Sequence, residues 1–179
     1  MPGFENGKFT KSKEPTPEEK QRAFATATKP DGTYLNAGDA KNGEKLFFEP
    51  TAALGAICAT CHAVGNKGGQ IGPALTTIGA NYKRPDLITS LHEPSKTIAL
   101  GFEQVMIETK SGETVAGMLR GEAADAFTIV DVAGQSHVVK KTDVKKRTDL
   151  HVSLMPPGLT LGLKPGDFAD LLAYLESLR

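Results

Sequence analysis

The chain has 179 residues, with 21 Lys plus Arg balanced by 21 Asp plus Glu, a length that suits one domain or one with an appendage at roughly 150 residues per domain. Zero net charge argues against a nucleic-acid binder, which needs a basic excess to neutralise phosphates, and against a polybasic membrane-surface protein. Hydrophobic residues make up 39% of the chain but aromatics only 6%, with no Trp, so a modest core is short of aromatic bulk.

No run approaches the roughly 20 consecutive apolar residues that span a bilayer. The opening MPGFENGKFTKSKEPTPEEK has no apolar h-region and does not read as a signal peptide. That leaves a cytoplasmic protein or a mature or trimmed exported one. Residues 1–36 are rich in Lys, Glu, Pro, Thr and Gly without apolar periodicity, and read as a flexible arm or linker. Within the arm, Pro17–Thr28 can form a short helix, with Pro17 in its first turn and Glu18 and Glu19 complementing the dipole.

Asp39 to Phe48 reads as a helix with Ala40, Gly43 and Phe47 on one face. Gly43 costs about 1 kcal/mol against Ala there, which implies that another helix approaches its backbone. The Gly-rich stretch from Thr51 to Tyr82 reads as mostly irregular after a first turn or two. Arg84 to His92 is a second helix, opened by Pro85 and striped by Leu87, Ile88 and Leu91. From Phe102 the period becomes alternating. FEQVMIET, ETVAGML, AFTIVDV and SHVVKK are strand-length runs separated by turn signals, and Lys141 to Val152 can add another strand. A helix capped by Asp167 runs to the C-terminus on an inner stripe of Phe168, Leu171, Leu172, Leu175 and Leu178.

Chemistry concentrates in Cys58-Ala59-Thr60-Cys61-His62, which contains both cysteines of the chain. Two thiols three residues apart reach the two vinyl groups of one porphyrin from a single helical turn. The adjacent His62 then lies under the ring, where its imidazole can ligate the iron. The pattern reads as covalent attachment of one haem c. A thioredoxin-like dithiol needs a strand–motif–helix context that is missing before Cys58. Zinc needs a fourth ligand, for which His92, His137 and His151 are the candidates. Both stay open as alternatives. Pro73, in a Gly72-Pro73 turn, offers the carbonyl that a ligating histidine normally holds through its other ring nitrogen; an ordinary turn is the plainer reading.

For the sixth ligand, Met106 and Met118 fall in strand runs and suit core packing. Met155 stands in SLMPPGL, before Pro156 and Pro157, which stiffen an extended loop. Such a loop can present a thioether to the iron, with His151 as runner-up. Leu75, Ile78, Leu154 and Leu159 are candidates for the apolar wall.

Taken together, GEKLFF, CATCH, GPALTTIG, SLMPPGL and DFADLLAYLESL resemble the c-type cytochrome family of the monohaem, His/Met-ligated type. The stretch from His62 to Met155 is longer than in simple members. LITSLHEPSKTIALGFEQVMIETKSGETVAGML followed by LMPPGL is similar to a planctomycete-type haem-binding domain, in which a strand-rich insert separates CxxCH from the methionine. The resemblance implies a mainly α cytochrome c fold with an inserted small antiparallel β module, α+β overall. Residues 37–101 and 151–179 would form the haem domain, and residues 102–150 the insert. It also implies that Gly43 and Phe47 meet Tyr174 where the first and last helices cross.

The reading that follows is a soluble electron carrier rather than an enzyme. Cys58 and Cys61 tether the haem, His62 and Met155 hold the iron, and single electrons pass between redox protein partners. Since thioether attachment takes place outside the cytoplasmic membrane, the resemblance implies a periplasmic or similar location. Two alternatives come from other classes: a haem enzyme or sensor (peroxidase or gas binding) with a displaceable sixth ligand, and an interaction module with a structural haem.

Overall fold

The computed structural model describes residues 4–5, 8–9, 14–51 and 57–179. Expectations for the rest of the arm and for residues 52–56 lie outside the described residues. The fold is mixed α plus β. In chain order it runs β1 (Phe4–Glu5), β2 (Lys8–Phe9), α1 (Pro17–Thr26), α2 (Ala40–Phe48) and α3 (Cys58–Cys61). Next come β3 (Ala63–Val64), β4 (Lys67–Gly68), α4 (Ile78–Asn81) and α5 (Arg84–His92). Strands β5 (Gln104–Thr109), β6 (Thr114–Glu122), β7 (Ala126–Val130), β8 (Ser136–Lys140) and β9 (Val144–Leu150) precede α6 (Pro165–Ser177).

The helices pack around α6, whose Phe168, Leu171, Leu172, Tyr174 and Leu175 are buried. Helix α2 is its principal neighbour. Asp39 caps α2 by accepting from the Lys41 amide at 2.9 Å, and Phe47 lies 1% exposed with its ring centroid 5.6 Å from that of Tyr174. A Cβ on Gly43 would stand 2.0 Å from the Asp170 carbonyl oxygen and 2.8 Å from Tyr174 Cβ. Only glycine lets the two backbones come this close. Helix α6 begins two residues before the expected cap. Its N-cap is Lys164, Pro165 supplies the first-turn φ, and Asp167 sits inside the first turn as a dipole partner.

Within the segment read as a flexible arm, α1 is docked. A reciprocal Thr16–Glu19 capping box starts it, and Gln21 and Ala25 are buried. Gln21 Nε2 donates to the carbonyls of Thr160 at 2.7 Å and Leu163 at 2.9 Å, while its Oε1 lies 3.0 Å from His92 Nε2. Apolar periodicity could not reveal this anchor, because one buried amide makes it.

Arg84 is a second polar anchor. Its side chain is 2% exposed, engages the Glu176 carboxylate through Nε and Nη2, and donates to the carbonyls of Asn36 and Ala37. Tyr34 covers its flat face at 4.5 Å.

Strands β5 to β9 form one antiparallel sheet in the order β8-β7-β6-β5-β9. The edge strands β8 and β9 are joined by only Lys141–Asp143. A flat sheet would hold its edges about 19 Å apart at ~4.8 Å per strand, but the four Cα–Cα steps from Lys140 to Val144 reach at most about 14 Å. The sheet is therefore strongly coiled. It encloses its own core of Val105, Ile107, Val115, Phe127, Ile129 and Val139, separate from the helical core.

Candidate functional site

Helix α3 is a single turn carrying Cys58 and Cys61 at its two ends, both half-buried and not disulfide-bonded. The His62 amide closes the turn on the Cys58 carbonyl at 3.0 Å, and the backbone then becomes extended at φ −109°, ψ 136°. A tight hairpin follows, β3 against β4, with Gly65 at φ 60° in its turn. It was not foreseen as structured, although Gly65-Asn66 between Val64 and Lys67 is a turn signal.

The hairpin returns the chain under the cysteine turn. The Gly69 amide donates to the Ala59 carbonyl at 2.8 Å and the Gly72 amide to the Cys61 carbonyl at 2.7 Å. A Cβ on Gly69 would meet the Thr60 carbonyl oxygen at 1.9 Å. One on Gly72 would fall 2.5 Å from His62 Cε1 and 2.7 Å from Nδ1. Both glycines exist to let a loop press against the motif.

Pro73 completes the arrangement: its carbonyl oxygen lies 2.8 Å from His62 Nδ1. A carbonyl only accepts, so Nδ1 carries the proton and Nε2 keeps its lone pair in the neutral ring. Among the described residues no hydrogen bond engages Nε2. Burial holds the His62 pKa below the ordinary imidazole value, with the Pro73 bond opposing in part. Burial also pushes the Cys58 thiol up to about 11, reinforced by the neighbouring Cys61. At neutral pH the site presents an uncharged imidazole and a protonated Cys58.

Half-buried apolar side chains line the edge of the helical core. Phe48, Cys58, Val64, Leu75, Ile78 and Met155 pack on the rim of the helical core without being enclosed by it. Met155 and Cys58 both pack against the helical core. Leu154 and Leu159 are half-buried outside that cluster. The Met155 loop is pinned: the Met155 amide donates to Ser153 Oγ at 3.1 Å and the Ser153 amide to Ser95 Oγ at 3.0 Å. Gln104 Nε2 donates to the Val152 carbonyl at 2.8 Å.

The remaining histidines are occupied elsewhere. His92 stacks on Phe168 at 5.0 Å, and His137 Nε2 lies 2.7 Å from Asp131. His151, the runner-up ligand, is exposed and lines a cavity of about 530 Å³ with Ser95, Glu103, Arg147 and Asp149, away from the cysteine turn. Met106 and Met118 belong to β5 and β6. No cluster of three or more His, Cys, Asp or Glu suited to a metal ion forms among the described residues, so the four protein ligands of a structural zinc site are not assembled there. No family model matches the chain, and no curated protein is detectably similar to it. Among the described residues, no helix is long and apolar enough to cross a membrane.

The donor set fits a haem held through two thiols. Both thiols are unbridged on one turn, the imidazole has one nitrogen committed and one available, and the glycine loop closes on the ring.

Proposed function

We propose that the protein is a monohaem c-type cytochrome that passes single electrons between redox protein partners. The observation that carries this reading is the hydrogen bond from His62 Nδ1–H to the Pro73 carbonyl, one residue beyond a turn that bears both cysteines. A metal-ligating histidine characteristically makes this bond, because it fixes the tautomer and raises the basicity of the other nitrogen.

Cys58 and Cys61 tether the group, and His62 offers Nε2 to the iron. Met155, on a loop held by Ser153 and Gln104, offers the sixth ligand. A haem so bound supplies one-electron iron chemistry, and a thioether ligand favours the reduced state and raises the potential. The half-buried Leu75, Ile78 and Val64 would keep water from a group held there. The crossing of α2 and α6 at Gly43 supports a cytochrome c fold with the coiled sheet as its insert. Covalent attachment places maturation outside the cytoplasmic membrane, so we assign a periplasmic or similar location.

Maturation in a host that attaches haem, followed by intact mass and visible spectra in both oxidation states, tests the reading. We expect a mass gain of one haem that Cys58→Ser together with Cys61→Ser abolishes. We also expect a six-coordinate spectrum that loses its sixth ligand in Met155→Ala. A colourless, unmodified product overturns the reading. Prompt carbon monoxide binding by the unmutated protein at neutral pH would instead point to a haem enzyme or sensor.

A further inference from the structure

The coiled sheet touches the site at two places, and the firmer one lies beside His62. Arg120, in β6, donates through Nη2 to the carbonyls of Gln70 at 2.8 Å and Ile71 at 3.2 Å. Its guanidinium is held over the Phe102 ring at 4.3 Å, which restricts the side chain before it meets the loop. Gln70 and Ile71 immediately precede Gly72 and Pro73. Gly72 abuts the His62 ring, and the Pro73 carbonyl accepts from its Nδ1. Arg120 is exposed and makes no salt bridge among the described residues. Among the described residues its side-chain hydrogen bonds all go to this loop. The second contact comes from β5, where Gln104 donates to Val152, three residues before Met155. Gln104 and Met118 are register partners, so neighbouring positions of one strand pair reach both loops.

We propose that Arg120 is a positioning residue for the proximal histidine: its guanidinium fixes the Gln70–Ile71 carbonyls, and through them the Gly72–Pro73 segment that orients His62. The inference rests on the haem reading above. It gives the inserted sheet a definite task, since the sheet sets the strength of the imidazole–carbonyl bond from outside the helical body. A looser bond makes His62 a poorer electron donor, which stabilises oxidised iron less and moves the reduction potential upward.

Two measurements on Arg120→Ala test this, with Arg147→Ala as a control cation in the same sheet. In the haem-loaded protein, amide exchange at Gly72 and Leu75 should quicken about tenfold while Leu171 and Leu172 in α6 keep their protection. In the same protein the potential should rise, and Arg147→Ala should change neither readout. If Arg120→Ala loosens α6 as well, Arg120→Lys decides, because it keeps the charge and one donor; it should shift both readouts in the same direction by less. Unchanged Gly72 exchange overturns the inference, and so does faster exchange with an unmoved potential, which would reduce Arg120 to a structural contact. A colourless wild type ends the haem reading by itself, whereas a red wild type with an indifferent Arg120→Ala ends this inference alone.

Discussion

At the scale of single residues, Gly72 and His62 form one unit. Gly72→Ala puts a methyl group 2.5 Å from His62 Cε1, and the ring cannot retreat without giving up the Pro73 carbonyl. We expect about 1–3 kcal/mol of destabilisation from this overpacking, read as a lower urea midpoint of the haem-free chain, together with a lower haem yield after maturation. Titration offers a second handle. Burial lowers the pKa of both His62 and His92, so each imidazole protonates less readily in the folded chain than in the unfolded one. Stability from these groups is fully present above the ordinary value of 6.5 and is lost as pH falls through their lowered folded values. The urea midpoint should therefore drop between about pH 7.5 and about pH 5. The carboxylates whose pKa values are lowered, such as Glu93 and Asp131, act only below their ordinary range. Equal midpoints at the two pH values would contradict the burial argument. Much of this site was legible beforehand, because Cys58, Cys61, His62 and Pro73 lie close together in the chain and local spacing carries their meaning. Gln21, Ser95 and Arg120 were not legible. Each acts on a backbone group far away in sequence, and no pattern of residue types encodes such a partner.

At the scale of elements, two polar anchors and one glycine hold the helices in register. Arg84→Ala removes the partner of Glu176 and the donor to two carbonyls from a site where the arginine is 2% exposed. Glu176 keeps 28% of its side chain in water, so the loss should be about 1–3 kcal/mol, which chemical denaturation of the haem-free chain would register; no loss would mean that water replaces the arginine readily. Gly43→Ala should separate α2 from α6, since the new Cβ would stand 2.0 Å from the Asp170 carbonyl oxygen. The gain of about 1 kcal/mol in helix propensity cannot offset a clash with backbone, so a net loss of thermal stability is expected. Helices α2 and α5 and the strands from β5 to β8 could be read from capping residues, apolar stripes and alternation, which are local signals. The strand order could not. The placement of β9 beside β5 depends on coiling that brings two sheet edges together, and that is a property of the whole sheet. The start of α6 was displaced for a simpler reason: Pro165 suits a first helical turn better than Asp167 suits a cap.

At the scale of the molecule, the described residues form two hydrophobic cores, one helical and one in the sheet. Ile129, 0% exposed in the sheet core, gives a clean probe of their independence. Ile129→Ala should cost about 2–5 kcal/mol and release the amides of β6 and β7 to exchange, while Leu171 and Leu172 in α6 lose less protection. Equal losses in both regions would mean that the two cores open as one cooperative unit. The sheet also meets the rest of the chain in a particular way. Gln104 and Leu150, near its entry and exit, are direct partners across β5 and β9, so they stand about 5 Å apart. A cassette whose two ends meet can be lifted from its host by closing a gap no wider than an ordinary turn, or grafted into another turn without prising the host open.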